Sequence, residues 1–145
     1  MYIRQISVFL ENTTGSLHSM TRLLGEHGID LIALSIADSD SFGVLRCVAH
    51  SGELDRAMKA LREAGYTARV SDVICVCVPD QPGGLSRVLG LLDQGGISIE
   101  YIYSFVRNTG VDALLIFKLD DPEKGAMLFA ENGIRMLSQE QVDSL

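Results

Sequence analysis

Apolar positions in this chain fall into two rhythms that alternate along its length. Ile6-Ser7-Val8-Phe9-Leu10 is short, β-branched and aromatic, which predicts a strand. Past the Thr14-Gly15-Ser16 turn, Leu17, Met20, Leu23 and Leu24 recur at the spacing of one helix face, and Gly28 closes that helix. Residues 31–37 and 42–49 read as two further strands joined by the polar turn Asp38-Ser39-Asp40-Ser41. Leu54, Ala57, Met58, Leu61 and Ala64 mark a second amphipathic helix that stops at Gly65, and residues 67–70 a fourth strand. The second half has the same order: strand 73–78, helix 85–93, strands 98–106 and 111–118, helix 123–132, strand 135–137. Asn108-Thr109-Gly110 is its hairpin turn, and Pro82 sits ahead of its first helix, where a missing N–H costs nothing. Ser138 to Leu145 is a short polar tail, with Ser138 placed to cap a turn of helix.

The two halves are copies. Residues 11–36 recur at 79–104 with a constant offset of 68, and six of the 22 positions from Gly15 to Ile36 are identical. Chance would supply about one or two. Each copy has the order β-α-β-β-α-β, a split βαβ arrangement in which both helices lie on one face of an antiparallel sheet. The expected division is residues 1–70 and 71–145, with no linker, because residues 67–70 run almost directly into 73–78. Residues 73–78 are apolar on both faces, and Tyr101, Tyr103 and Phe105 oppose Ile102 and Val106 on the next strand. A face apolar on the side away from the helices should not meet water. Packing into the chain's own core is one explanation; the preferred expectation is cover by another copy, a homodimer.

Composition narrows the chemistry. A net charge of −7 opposes a phosphate-backbone partner, and no apolar run reaches the roughly 20 residues that cross a bilayer. Met1-Tyr2-Ile3-Arg4-Gln5 has no signal-peptide layout, so the expectation is a cytoplasmic protein touching neither nucleic acid nor membrane. Cys47, Cys75 and Cys77 lack CxxC spacing, and Cys75 and Cys77 read as small apolar fillers on one strand face. His18, His27 and His50 belong to no nucleophile or metal pattern, and no nucleotide-binding fingerprint occurs. No catalytic residue, metal or cofactor is expected.

The strand-to-helix turns are the candidate chemistry. Gly15, and Gly83 with Gly84, let the backbone approach a ligand closely. The first amides of the following helix have no internal partner and suit a carboxylate. Just upstream, Glu11 and Asn12 in one copy and Asp80 and Gln81 in the other can meet an ammonium. Such a turn could receive a free amino acid, but Asn, Asp, Pro and Gly also make plain turns, and turn chemistry alone leaves both readings open.

Residues 78–85, Val-Pro-Asp-Gln-Pro-Gly-Gly-Leu, followed by Gly96-Ile97-Ser98-Ile99, resemble the signature of ACT domains: Asp-x-Pro-Gly-x-Leu after the first strand and Gly-Ile-Asn-Ile opening the second. The first copy matches more loosely, with Asn12 for the Asp and Thr14 for the Pro. Glu100-Tyr101-Ile102-Tyr103-Ser104-Phe105 is also typical, and the whole chain is similar to stand-alone proteins made of two ACT domains. The resemblance implies an α+β protein of tandem ferredoxin-like units and a non-catalytic regulatory role. It also implies that a free amino acid binds at ACT–ACT interfaces, against the first loop of one unit and the second strand's start in its neighbour. Carried over by position, the ligand residues are Glu11, Asn12, Thr14, Gly15, Ser16, Leu17, Asp30 and Leu31, and Asp80, Gln81, Gly83, Gly84, Leu85, Ser98 and Ile99. Ser98 stands where the family has Asn, and Thr14 leaves its loop less preorganised. The alternative is a regulatory subunit docked on an amino-acid biosynthetic enzyme, similar to the small subunits of acetolactate synthase.

Overall fold

The structure, a computed structural model, describes residues 1–106, 110 and 112–145. Asn108 and Thr109 of the expected second turn, and Val111 at the head of an expected strand, lie outside them. The chain divides into two compact units, Arg4–Ser71 and Asp72–Leu145, the second taking in Met1–Ile3.

In the first unit, β1 (Ile3–Glu11) leads through a turn into α1 (Ser16–Glu26), then β2 (Leu31–Asp38) and β3 (Phe42–Ala49). A 3₁₀ turn at Ser51–Glu53 precedes α2 (Leu54–Glu63) and the long strand β4 (Ala68–Pro79). β3 lies antiparallel between β1 and β2, with Ile6 opposite Cys47 and Leu34 also opposite Cys47. The last strand returns beside β1, where the Phe9 amide donates to the Thr67 carbonyl at 3.0 Å. The second unit takes up β4 and continues through α3 (Gly84–Gln94), β5 (Ile99–Ser104), β6 (Asp112–Leu119), α4 (Pro122–Glu131), β7 (Met136–Leu137) and α5 (Gln139–Asp143). β6 pairs antiparallel with β4 and β5, and β7 with β4. The Cys77 amide donates to the Arg135 carbonyl at 2.8 Å, the repeat of the Phe9–Thr67 bond.

The duplication extends to the cores. Ile6, Val8, Leu10, Met20, Leu24, Ile29 and Leu61 pack together in the first unit, and Ile74, Val76, Val78, Val88, Leu92, Ile97 and Phe129 do so in the second. Every pair is 68 residues apart. Full burial of such a side chain contributes about 1.5–3 kcal/mol, so these clusters dominate each unit's stability. Volume has been redistributed between them. Ala49, Ala57 and Leu61 become Phe117, Gly125 and Phe129, and the two rings meet edge to face at 5.9 Å.

One expectation changes. The two strands expected at 67–70 and 73–78 are one uninterrupted strand, Ala68–Pro79, in which Ser71 and Asp72 remain extended. Much of the doubly apolar surface is buried within the single chain: Cys75 and Ile116 are fully buried, and Tyr103 and Phe105 nearly so. The tail helps, since the fully buried Val142 lies on α5. Val106 and Ile99, of the same expected strand, remain 67% and 36% exposed.

Candidate functional site

Gly15 and Gly83 stand at the heads of α1 and α3 with φ 88° and 84°, a left-handed conformation that favours glycine. Neither helix has a side-chain cap. The loops share one hydrogen-bond scheme. Ser16 N donates to the Thr13 carbonyl at 3.2 Å, and Gly84 N to the Gln81 carbonyl at 3.0 Å. Thr13 N and Gln81 N reach back to Glu11 and Pro79, while Ser19 N and Arg87 N reach the carbonyls of Gly15 and Gly83. The amides left without a partner among the described residues are those of Thr14, Gly15, Leu17 and His18 in one copy, and of Gly83, Leu85 and Ser86 in the other. Ser16 and Gly84 are spoken for.

The loops differ in tightness. A Cβ on Gly84 would overlap the Pro79 carbonyl oxygen, so only glycine fits there. The repeat-equivalent Ser16 carries a side chain, whose hydroxyl lies 2.6 Å from Thr13 Oγ1. The first loop opens onto a hollow of about 590 Å³ lined by Glu11, Thr13, Thr14, Gly15, Ser16 and Ser19, and walled by Gly65, Tyr66 and Thr67. Its counterpart at the second loop is about 180 Å³, with Gly84, Arg87, Gly133, Ile134 and Arg135 in the matching places. Arginines occupy positions where the first copy has Ser19 and Thr67.

The expected residues are thus brought together in part. Glu11, Thr14, Gly15 and Ser16 line the large hollow, and Asn12 and Leu17 line an adjoining one of about 140 Å³. Glu11 and Asp80 are exposed carboxylates without an ion pair among the described residues. Asn12 is engaged structurally, its Nδ2 donating to the Ser39 carbonyl at 3.4 Å. Gly84 lines the small hollow; Asp80, Gln81, Gly83 and Leu85 do not. Asp30, Leu31, Ser98 and Ile99 line none of these hollows. Both strand starts are instead tied internally: Asp30 N donates to Glu53 Oε2 at 3.0 Å and Ser98 N to Asp120 Oδ1 at 2.9 Å. His50 Nε2 lies 3.8 Å from Asp30 Oδ2. The wall at Gly65, Tyr66 and Thr67 was missed; only the return of the last strand beside the first could have flagged it.

The thiols are poor nucleophiles. Burial pushes Cys47 up to about 12, and burial with the neighbouring Cys77 does the same to Cys75. Cys77 is raised too, mainly by burial, with Arg135 opposing and Asp112 reinforcing. Among the described residues no cluster of His, Cys, Asp and Glu could hold a metal, and no helix is long and apolar enough to cross a membrane.

Comparison with known families matches a model described as an ACT domain pair across residues 1–145. The chain belongs to that family. This agrees with the signature read around Pro82-Gly83-Gly84 and with the tandem ferredoxin-like fold. The ACT pair is similar to protein BT0572 from Bacteroides thetaiotaomicron, at 34% identity and a TM-score of 0.89 over 100% of this chain and 98% of that one. Two more distant structures share its fold. The ligand-free regulatory subunit of aspartate kinase from Thermus thermophilus is 17% identical, with a TM-score of 0.63 over 88% of this chain and 91% of that one. The Thermus flavus subunit is 16% identical, with a TM-score of 0.62 over 88% and 90%. No curated protein matches the sequence.

Proposed function

We propose that this ACT domain pair, divided at residues 1–70 and 71–145, is a non-catalytic regulatory protein that binds a free amino acid at its strand-to-helix loops. The observation that carries this is the row of unused amides at Thr14, Gly15, Leu17 and His18 beside a hollow of about 590 Å³. Amides at a helix start favour a carboxylate, and the hollow's size suits a small ligand. The Glu11 carboxylate on its rim suits the ammonium. Asp30, Leu31, Ser98 and Ile99 enter this reading only as contacts supplied to a neighbouring unit's loop. A cytoplasmic location fits a sensor of free metabolites.

Docking on a biosynthetic enzyme is the second reading. It is favoured by Phe9 and Phe42, 39% and 50% exposed with ring centroids 6.5 Å apart, since exposed aromatic pairs suit a protein partner. The fold shared with aspartate kinase regulatory subunits supports the same direction.

Thermal unfolding against the twenty amino acids tests the sensor. A ligand at 100 times its Kd adds about 2.7 kcal/mol, a rise of roughly 5–10 °C for a chain this size. The rise should disappear in Gly15→Ala. A flat panel on folded protein overturns amino-acid sensing, and a stoichiometric enzyme recovered with the flat protein favours docking.

A further inference from the structure

Because the chain is a duplication, each loop hollow can be read against its counterpart, and what changes between them is charge. Seven of the nine residues lining the small hollow at Gly84 fall, at the offset of 68, on residues lining the large one at Gly15. The two are therefore the same place in the fold. Glu11 becomes Pro79, Ser19 becomes Arg87 and Thr67 becomes Arg135. The first lining carries one carboxylate and no cation. The second carries two guanidiniums against the single carboxylate of Asp112. In a chain of net charge −7, that is a local reversal of sign.

Neither guanidinium has a hydrogen bond or ion pair among the described residues. Asp112 already has a partner of its own. A guanidinium presents a planar fork that matches the oxygens of a carboxylate or phosphate, two hydrogen bonds at a time. Gly84, the first residue of α3, lines the hollow too, so the helix dipole adds to the same field. An ammonium has no seat here: Glu11 has gone to Pro79, Asp80 and Gln81 do not line the hollow, and Asp112 is taken. The volume of about 180 Å³ equals the share of about six waters at ~30 Å³ each, enough for a small anionic group. Arg135, Asp112 and Cys77 also line the hollow of about 480 Å³ beside α5, together with Leu114, Leu137 and Leu145. A group held by the arginines thus has open volume next to it for the rest of a molecule.

We propose that the second loop hollow is a dianion site, in which Arg87 and Arg135 hold the doubly charged group of a phosphate or a dicarboxylate that carries no ammonium. Two guanidiniums favour two negative charges over one, and the lack of a free acceptor selects against a zwitterion. The amino-acid reading is carried by the hollow at Gly15, so each can fail without the other.

The test is titration of the full chain at pH 8, followed by backbone amide NMR, with inorganic phosphate, with glutarate, and with L-glutamate, which is glutarate bearing an ammonium. Acetate and glycine serve as controls. Phosphate, glutarate or both should shift the amides of Arg87, Gly133, Ile134 and Arg135 saturably, while acetate and glycine leave them in place. A response to phosphate alone assigns the phosphoryl source, and to glutarate alone the dicarboxylate. L-Glutamate should bind no tighter than glutarate. Arg87→Gln and Arg135→Gln, both at exposed positions, should each weaken binding about tenfold or more with the rest of the spectrum unchanged, and the lysine variants should recover part of it. Shifts at residues 14–18 report on the first hollow, so failure there is distinguishable from failure here. No saturable shift with either dianion, equal binding of acetate, tighter binding of L-glutamate, or indifference to both glutamine variants would each overturn the proposal.

Discussion

One atom separates the two loops. Gly84 sits where the helix start presses on the Pro79 carbonyl, while Ser16 holds the equivalent place with room for a hydroxyl. Gly84→Ala must therefore push the α3 start away from β4, at about 1–3 kcal/mol of overpacking. Gly90, inside the same helix with open space around it, should respond oppositely: Gly90→Ala removes glycine's excess chain entropy and gains about 0.5–1 kcal/mol. Urea unfolding of both variants checks the contrast, and equal effects would contradict the close approach at Pro79. The motif Pro82-Gly83-Gly84 was legible from the residues because the need for glycine is local. Which loop amides are already bonded was not legible, since Ser16 and Leu17 differ in partners and not in type.

At the scale of elements, periodicity within a copy did most of the work, and the copies disciplined each other. Strand and helix assignments held because Leu17, Met20, Leu23 and Leu24 or Ile6, Val8 and Leu10 declare their faces over a few residues. The join at Ser71-Asp72 reads from sequence as a near-direct run from one strand into the next, and the backbone does carry straight on, extended. The hollow's wall at Gly65, Tyr66 and Thr67 stayed hidden because it depends on strand adjacency across most of the unit, as in the bond from Phe9 to Thr67, which no local pattern encodes. The redistributed core makes a measurable difference between the units. Phe129→Ala empties a fully buried site that also holds the ring contact with Phe117, and should cost about 3–5 kcal/mol. A loss under about 1 kcal/mol by urea unfolding would mean that the ring is not packed as described.

For the whole molecule, the buried thiols set a pH limit. Cys47 and Cys75 titrate near 12 in the folded chain, against about 8.5 for an unfolded thiol. Between those values the unfolded chain has released protons that the native one retains. Stability is therefore full below about pH 8.5 and falls as pH rises toward 12, by up to ~1.4 kcal/mol per pH unit for each thiol. Urea unfolding at pH 8 and 10 should show the drop, and a Cys47→Ala/Cys75→Ala protein should show a smaller one. An unchanged slope in that protein would assign the loss to other groups.

Unbroken β4 also constrains how such a chain can change length. Ala68 and Val70 face one core and Ile74, Val76 and Val78 the other, all at even positions along a single strand. One residue added at Ser71 would exchange the two buried faces of residues 73–78, turning Val73, Cys75 and Cys77 toward the core that Ile74, Val76 and Val78 now fill, whereas two would restore the alternation. A tether could not grow here one codon at a time.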